Sequence, residues 1–395
     1  MSTKPLTQNK HQRTRFQVMY WRPKQLSRGW LLFTMMFAVG GLILVEKCTR
    51  SMTPENVETM TSAARKAREA MSWIGQVRAQ QGHRVIDKLD PQGSHLIGPS
   101  MSMVTSKLGA IESKQTSINP NFAAVVVRWL SEAGVKPGDQ IAIGASGSWP
   151  GLNIAVYAAA ETMKLRPTIV LSAASSQYGA NSPEMMWLDM ERHLAERDII
   201  PFRAAAASFG GLYDHASGMT DDTKAMLADA IDRNAITRIP GQTLRDSIRE
   251  RMVVYGDKPY AAYINVGGGS ASIGGTAGQA CLPAGLHQQI SDSQAMPDCV
   301  AARMIERGIP VINMADAKGI ASQYAMPIAP PELPQVGEAS LFGKLTYRRS
   351  LAAIMMVAIG GVLSITVAPG RCLRFARRLR MKEQNETPSQ VEWMV

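Results

Sequence analysis

Apolar positions along the chain fall into two kinds of pattern. Two runs, residues 30–45 (WLLFTMMFAVGGLILV) and 351–368 (LAAIMMVAIGGVLSITVA), carry no charge at all. Between them apolar and polar residues alternate at helix or strand spacing. Residues 54–82 read as a helix, because Ala63, Ala64, Ala67, Ala70, Met71, Ile74 and Val77 recur at helical intervals with charges between them. Residues 90–118 are rich in Gly, Pro and Ser without a period, which predicts a long loop, and long ordered loops tend to be functional. Asn119 then caps a helix with Pro120 at its first position, running over 122–133 and stopped by Gly134. From there strands are expected at 141–145, 168–173, 202–208, 260–266 and 311–314. Helices are expected at 151–163, 183–196, 220–234, 243–255 and 297–308. This alternation predicts an α/β fold, a mostly parallel doubly wound sheet with helices on both faces. No strong linker interrupts residues 95–325, so one domain is favoured over two.

Charge changes the picture at the two ends. The formal net charge is +11, yet residues 1–29 hold seven Lys or Arg and no acid, and residues 370–395 hold six against Glu383, Glu386 and Glu392. The ends carry +7 and +3, leaving the middle near neutral at +1. Basic ends beside apolar runs are a topological pattern, and they argue against nucleic acid as a partner. Both runs lie at the short end of the length that spans a bilayer. The positive-inside rule then gives a basic cytoplasmic N-terminus (1–29), a transmembrane helix (30–46) and an extracytoplasmic α/β domain (47–345) that ends in a proline-rich connector (327–337). A second transmembrane helix (350–368) and a basic cytoplasmic tail (369–395) complete the expected cell (inner) membrane topology. Arg348 and Arg349 weaken that bias without reversing it. A cleaved signal peptide is disfavoured, since Val45-Glu46-Lys47-Cys48 offers no small-residue cleavage site. Four cysteines are too few for a disulfide scaffold. Cys281 and Cys299 could bridge a loop or be two buried thiols, and Cys48 and Cys372 fall on opposite expected sides.

The best site candidate is 140–152 (QIAIGASGSWPGL), an apolar strand ending in small residues, followed by a helix start. That arrangement sets backbone N–H groups and hydroxyls at the mouth of an α/β sheet. Four strand ends are of this kind: 144–148, 172–181 (SAASSQYGAN), 208–211 (SFGG) and 265–275 (NVGGGSASIGG). Their convergence predicts a shared cleft with Gly144, Ser146, Gly147, Ser148, Ser175, Ser176, Asn181, Asn265, Gly267, Gly268 and Gly269 as ligand-binding residues. Any one loop alone reads equally well as a tight turn needing glycine.

Ser146 sits in a near match to the nucleophile elbow G-x-S-x-G, but Ser148 occupies the last glycine position. A triad would draw on His193, His215 or His287, with Asp189 or Asp214 as the orienting acid, and none has a distinctive setting. Ser146, Ser148 and Asp189 therefore stand only as weak catalytic candidates, with ligand binding the favoured role for the two serines. Asp189 and Glu191 lie two apart on one helix and read as a solvated face. No phosphate-binding G-x-x-x-x-G-K-[ST] occurs, and Gly267-Gly268-Gly269 is followed by Ser272 where a dinucleotide fingerprint needs its third glycine. The six histidines have no ligand spacing. No cofactor and no metal are expected.

The runs 95–99 (HLIGP), 116–127 (TSINPNFAAVVV), 144–155 (GASGSWPGLNIA), 175–191 (SSQYGANSPEMMWLDME) and 265–269 (NVGGG) together resemble the poly-γ-glutamate system protein family. The resemblance covers about residues 55–340, and the block from Asn181 to Glu191 is its most distinctive part. It implies a membrane-anchored accessory of poly-γ-glutamate capsule synthesis or export, partnered by the other components of that system, and it brings no catalytic residues with it. The expected ligand bears a carboxylate, held by loop amides, hydroxyls and Lys107 or Lys114. The near-neutral domain favours a chain end or small unit over a long polyanion. The alternatives are an extracytoplasmic hydrolase or transferase acting on amide-linked polymer, or a non-catalytic membrane adaptor whose Gly40-Gly41 and Gly360-Gly361 pairs pack on partner helices.

Overall fold

The computed structural model describes residues 28–52, 54–290 and 292–367. The expected basic ends, up to residue 27 and from 368 on, lie outside the described residues together with Cys372. The chain divides into two units, Met52–Lys344 and the terminal segments Met1–Ser51 with Leu345–Val395.

In the terminal unit, α1 (Arg28–Lys47) has 20 residues, about 30 Å at a rise of 1.5 Å each. Its mean hydropathy is 1.8, and it is long and apolar enough to cross a membrane. Leu32, Met36 and Leu42 are each more than 60% exposed, so the helix leaves its apolar side chains uncovered by protein.

The larger unit runs α2 (Val57–Gln80), α3 (Ile111–Ser117), α4 (Phe122–Glu132), β1 (Gln140–Ser146), α5 (Pro150–Thr162), β2 (Arg166–Ser172) and α6 (Trp187–Glu196). It continues β3 (Ala206–Ser208), α7 (Asp221–Arg233), β4 (Thr237–Arg238), α8 (Leu244–Tyr255), β5 (Tyr260–Asn265), α9 (Ser270–Ile273) and α10 (Gly275–Cys281). Last come β6 (Gly285–His287), α11 (Val300–Glu306), β7 (Val311–Asn313) and α12 (Ala317–Gln323). The seven strands form one sheet in the order β6-β7-β5-β1-β2-β3-β4, parallel throughout except that β6 runs antiparallel to β7. The fold is therefore α/β with a mostly parallel sheet.

The central strand shows why the pattern folds this way. β1 is apolar on both faces, as a strand covered by helices on both sides must be. Ile141, Ile143 and Ala145 join the core made with α2, α4 and α5, while Ala142 joins a second core with Tyr263, Tyr255 of α8 and Val300 of α11. α5 is buried all round from Pro150 to Ala160, which its run of alanines permits. Ala63, Ala67 and Ala70 of α2 are equally buried and let that helix close over it.

The structure departs from the expected elements where local signals were short. The 90–118 stretch holds α3 and a strand, Thr105–Lys107, paired with Ser175–Ser176. Its start is tied down by Asp90, whose carboxylate accepts from the Ser94 and His95 amides. The helix expected from 183 begins at Trp187, because Asn181–Ser182 and Met185–Met186 pair first as a hairpin. The strand expected over 202–208 is only Ala206–Ser208. Cys281 and Cys299 are free thiols, both buried, and burial pushes Cys299 up to about 11.

α13 (Arg349–Val367) closes the terminal unit. Its apolar stretch Arg349–Ser364 is shorter than α1. Of the paired glycines, Gly41 faces the tip of Met355, whereas Gly40, Gly360 and Gly361 border open space.

Candidate ligand-binding site

From β1 the chain steps outward through β2, β3 and β4, then crosses to the other side of β1 to lay down β5. The strand order thus reverses between β1 and β5, and the crevice beyond the carboxyl ends of strands at such a switch point is where open α/β sheets bind ligands. Register does the rest. Gly144 lies beside Asn265, Ser146 beside Ser172, and Ser172 beside Ser208, so three serines from three strands stand in a row along the carboxyl edge.

A cavity of about 190 Å³ opens at this edge. All four small-residue loops reach it: Ser146, Ser148 and Trp149 from the first, Ser172 and Ala174 from the second, Gly211 from the third, and Gly268, Gly269 and Ser270 from the fourth. Ser106 and Lys107, from the strand that pairs with Ser175–Ser176, complete one wall. α5 begins immediately after Trp149, and no side chain caps its N-terminus.

Beneath the cavity lies a buried ion pair. Arg251, which is 0% exposed, donates from Nε to Asp214 Oδ2 and from Nη2 to Asp214 Oδ1, each at 2.9 Å. The same Nη2 donates to the hydroxyls of Ser172 and Ser208 at 2.8 Å, and both hydroxyls donate to Asp214 Oδ1. The network fixes two of the three edge serines. Asp214 is delivered by a loop of unusual backbone: Gly210, Gly211, Tyr213, Asp214 and Ala216 all have φ between 54° and 75°. Left-handed Tyr and Ala residues persist only where the surroundings hold them, and such strain gathers at ligand sites.

The predicted residues divide into liners and supports. Ser146, Ser148, Gly268 and Gly269 line the cavity. Gly147 passes so near the second loop that a Cβ would lie 2.8 Å from the Ala173 carbonyl, and Gly267, at φ 100°, lies against Trp149 and Ser146. Gly144 is packed under Tyr263. Ser176 donates its amide to Ser148 Oγ at 3.0 Å, and Ser175 is fully buried beside it. Asn265 holds the glycine turn by donating to the Gly267 carbonyl at 2.7 Å and to Asn313 at 2.8 Å. Asn181 does not reach the cavity; its amide ties Pro99 to Thr105.

Of the two lysines, Lys107 lines the cavity and is exposed. Lys114 does not line it. Its ammonium is buried behind Ser148, donating to the Ser148 carbonyl and, at 2.9 Å, to Ser176 Oγ, with the Trp149 ring 3.9 Å away. Burial, aided by the charge of Lys107, pushes Lys114 down to about 7.

Two expectations about catalysis need correction. Asp189 is far from being a free acid: it accepts from the Met186 amide, both arms of Arg233 and the Asn234 amide group. Four donors engage both carboxylate oxygens, and Asp189 serves as the N-terminal lock of α6. Glu191 is also not solvated; it is 0% exposed, accepts from Tyr157 and the Ala204 amide, and burial pushes it up to about 7. No histidine lines the cavity among the described residues: His193 lies on α6, His287 on the edge strand β6, and His215 stacks on Tyr213. Arg251 gave no signal in sequence, because in LRDSIRERMVVY it reads as one charge among several on a surface helix.

A larger cavity of about 410 Å³ lies between α2 and the 92–96 stretch, and none of the predicted site residues lines it. Compared with protein-family models, with curated proteins and with solved structures, the chain has no match in any of the three.

Proposed function

We propose that the chain is a membrane-anchored accessory protein of a poly-γ-glutamate synthesis or export system, and that its α/β domain binds a carboxylate-bearing chain end or small unit in the sheet-edge cavity. The observation that carries the binding reading is the charge inside the cavity. Its carboxylate, Asp214, is consumed by Arg251, so Lys107 and the hydroxyls of Ser146, Ser148 and Ser270 face a ligand with no anion of the protein to compete. About 190 Å³ falls below the roughly 300–1,000 Å³ of sites for larger ligands, which suits a terminal unit and not a length of polymer.

The family assignment rests on the resemblance of the five runs. The anchor rests on α1, and a second span on α13, whose Ile354, Met356 and Val357 are more than 60% exposed. A hydrolase or transferase would need a base facing Ser146 or Ser148. The cavity supplies no histidine among the described residues, and its carboxylate is engaged, so binding is favoured over turnover.

The experiment is a calorimetric titration of the full chain in detergent with a short γ-linked glutamate oligomer. Wild type is expected to bind saturably. Ser146→Ala combined with Gly268→Leu is expected to weaken binding by roughly a hundred-fold, one hydroxyl contact of about 1–1.5 kcal/mol lost and the ligand's space filled by the leucine. The fold should survive, because a side chain at Gly268 meets only the movable end of Gln279. Unchanged affinity in the double variant would remove the ligand from this cavity. No binding by wild type would leave the adaptor reading in its place.

A further inference from the structure

Arg78, in the last turn of α2, is a second buried cation, and it lacks what Arg251 has. It is 1% exposed. After Gly82 the chain turns back so that Nη2 sits 3.1 and 3.3 Å from the ring nitrogens of His83, and 3.5 Å from Ser182 Oγ. Nε and Nη1 are buried with no hydrogen-bond partner among the described residues. Neither neighbouring acid fills the gap. Asp90 spends both oxygens on Ser94 and the His95 amide, and Glu184 stays exposed without an ion pair to Arg78 among the described residues. His83 is held below its usual range by burial and by Arg78, so it brings no negative charge and little positive.

Arg78 also lines a cavity of about 290 Å³ together with His83, Arg84, Glu184 and Met185. Burial lowers Arg78 to about 10, which leaves it a cation at neutral pH. A buried cation with two nitrogens lacking an acceptor is costly, and an incoming anion removes that cost.

We propose that this cavity is an oxyanion site, taking a carboxylate or phosphate group of a small solute, with Arg78 at its floor and Arg84 at its rim. No residue lines both this cavity and the one at the sheet edge, so the two sites stand or fall separately. Charge-assisted hydrogen bonds from the Arg78 guanidinium supply the affinity, and Glu184 at the rim opposes it.

The test is thermal unfolding of the full chain in detergent, carrying Ser146→Ala and Gly268→Leu to close the sheet-edge cavity, with sodium phosphate, sodium acetate or sodium chloride at matched ionic strength. Phosphate or acetate is expected to raise Tm saturably while chloride does not, and whichever acts identifies the phosphate or carboxylate source. Arg78→Met is expected to abolish the rise, which corresponds to an affinity loss of roughly ten- to a hundred-fold. Without anion its Tm should equal or exceed that of wild type, because the variant removes an uncompensated charge. Glu184→Gln, at an exposed position, should tighten anion binding about three-fold or more. The proposal is overturned by the absence of a saturable rise with either oxyanion, by a rise that persists in Arg78→Met, or by unchanged affinity in Glu184→Gln.

Discussion

Replacing Asp214 by alanine lowers the stability of the larger unit by about 3–5 kcal/mol, the expected cost of leaving a buried arginine without its counter-charge. Arg251 is fully buried, and its two-pronged contact with Asp214 is its only ion pair among the described residues. Ser172 and Ser208 cannot substitute, since their hydroxyls accept from Arg251 Nη2 but carry no counter-charge. Arg251→Met alone is expected to cost less, because the orphaned Asp214 lies at the cavity wall, where water can reach it. The pair Asp214→Leu with Arg251→Met should recover most of the loss, as apolar replacement of a whole buried pair often does. Urea unfolding reads the difference as a shift in midpoint at constant slope. A loss below about 1 kcal/mol for Asp214→Ala would place the pair among weak surface contacts and deny it the role of holding the edge serines.

The second large effect is the shape of stability against pH. Glu191 titrates at about 7 in the folded chain against an ordinary 4.5. The folded state therefore holds more protons between those values, and stability falls as pH rises from 4.5 to 7. Lys114 titrates at about 7 against an ordinary 10.5. Here the unfolded chain holds more protons, so the burial cost is paid in full below 7 and stability rises as pH climbs from 7 toward 10.5. Each group contributes a slope of at most about 1.4 kcal/mol per pH unit, giving a profile with a minimum near neutrality. Glu191→Gln should flatten the acid limb, since the amide can still accept from Ala204 and donate to Tyr157. Lys114→Met should flatten the alkaline limb. Limbs that survive their own variants would show that neither group titrates as its burial requires.

Much of the fold was legible because a parallel sheet covered on both sides leaves a strong trace. The apolar runs of β1, β2, β5 and β7 and the helices between them follow from spacing alone. What spacing could not show was carried by contacts distant in sequence. β4 and β6 have two and three residues, too few for a period, and they exist because a neighbouring strand offers them partners. α3 was hidden in a Gly/Pro/Ser-rich stretch, where Lys114 read as a ligand contact and not as a buried cation behind Ser148. The site was legible as four glycine and serine loops, because such loops are needed wherever strands end at a shared crevice. Its electrostatics were not. Asp189 and Glu191 looked solvated in WLDMERHLAE and proved buried only once α7 and the 203–204 segment had packed on them. Arg251 and Asp214 are 37 residues apart, and only the fold brings them together under the row of serines.

The central claim, a carboxylate site at the switch point of the sheet, is tested most directly by hydrogen exchange of the full chain with and without a short γ-linked glutamate oligomer. Using the Arg78→Met background keeps any anion bound at that second cavity out of the comparison. Protection confined to residues 144–149, 208–216 and 266–270 is the predicted result. Protection elsewhere, or none at saturating oligomer, would contradict it.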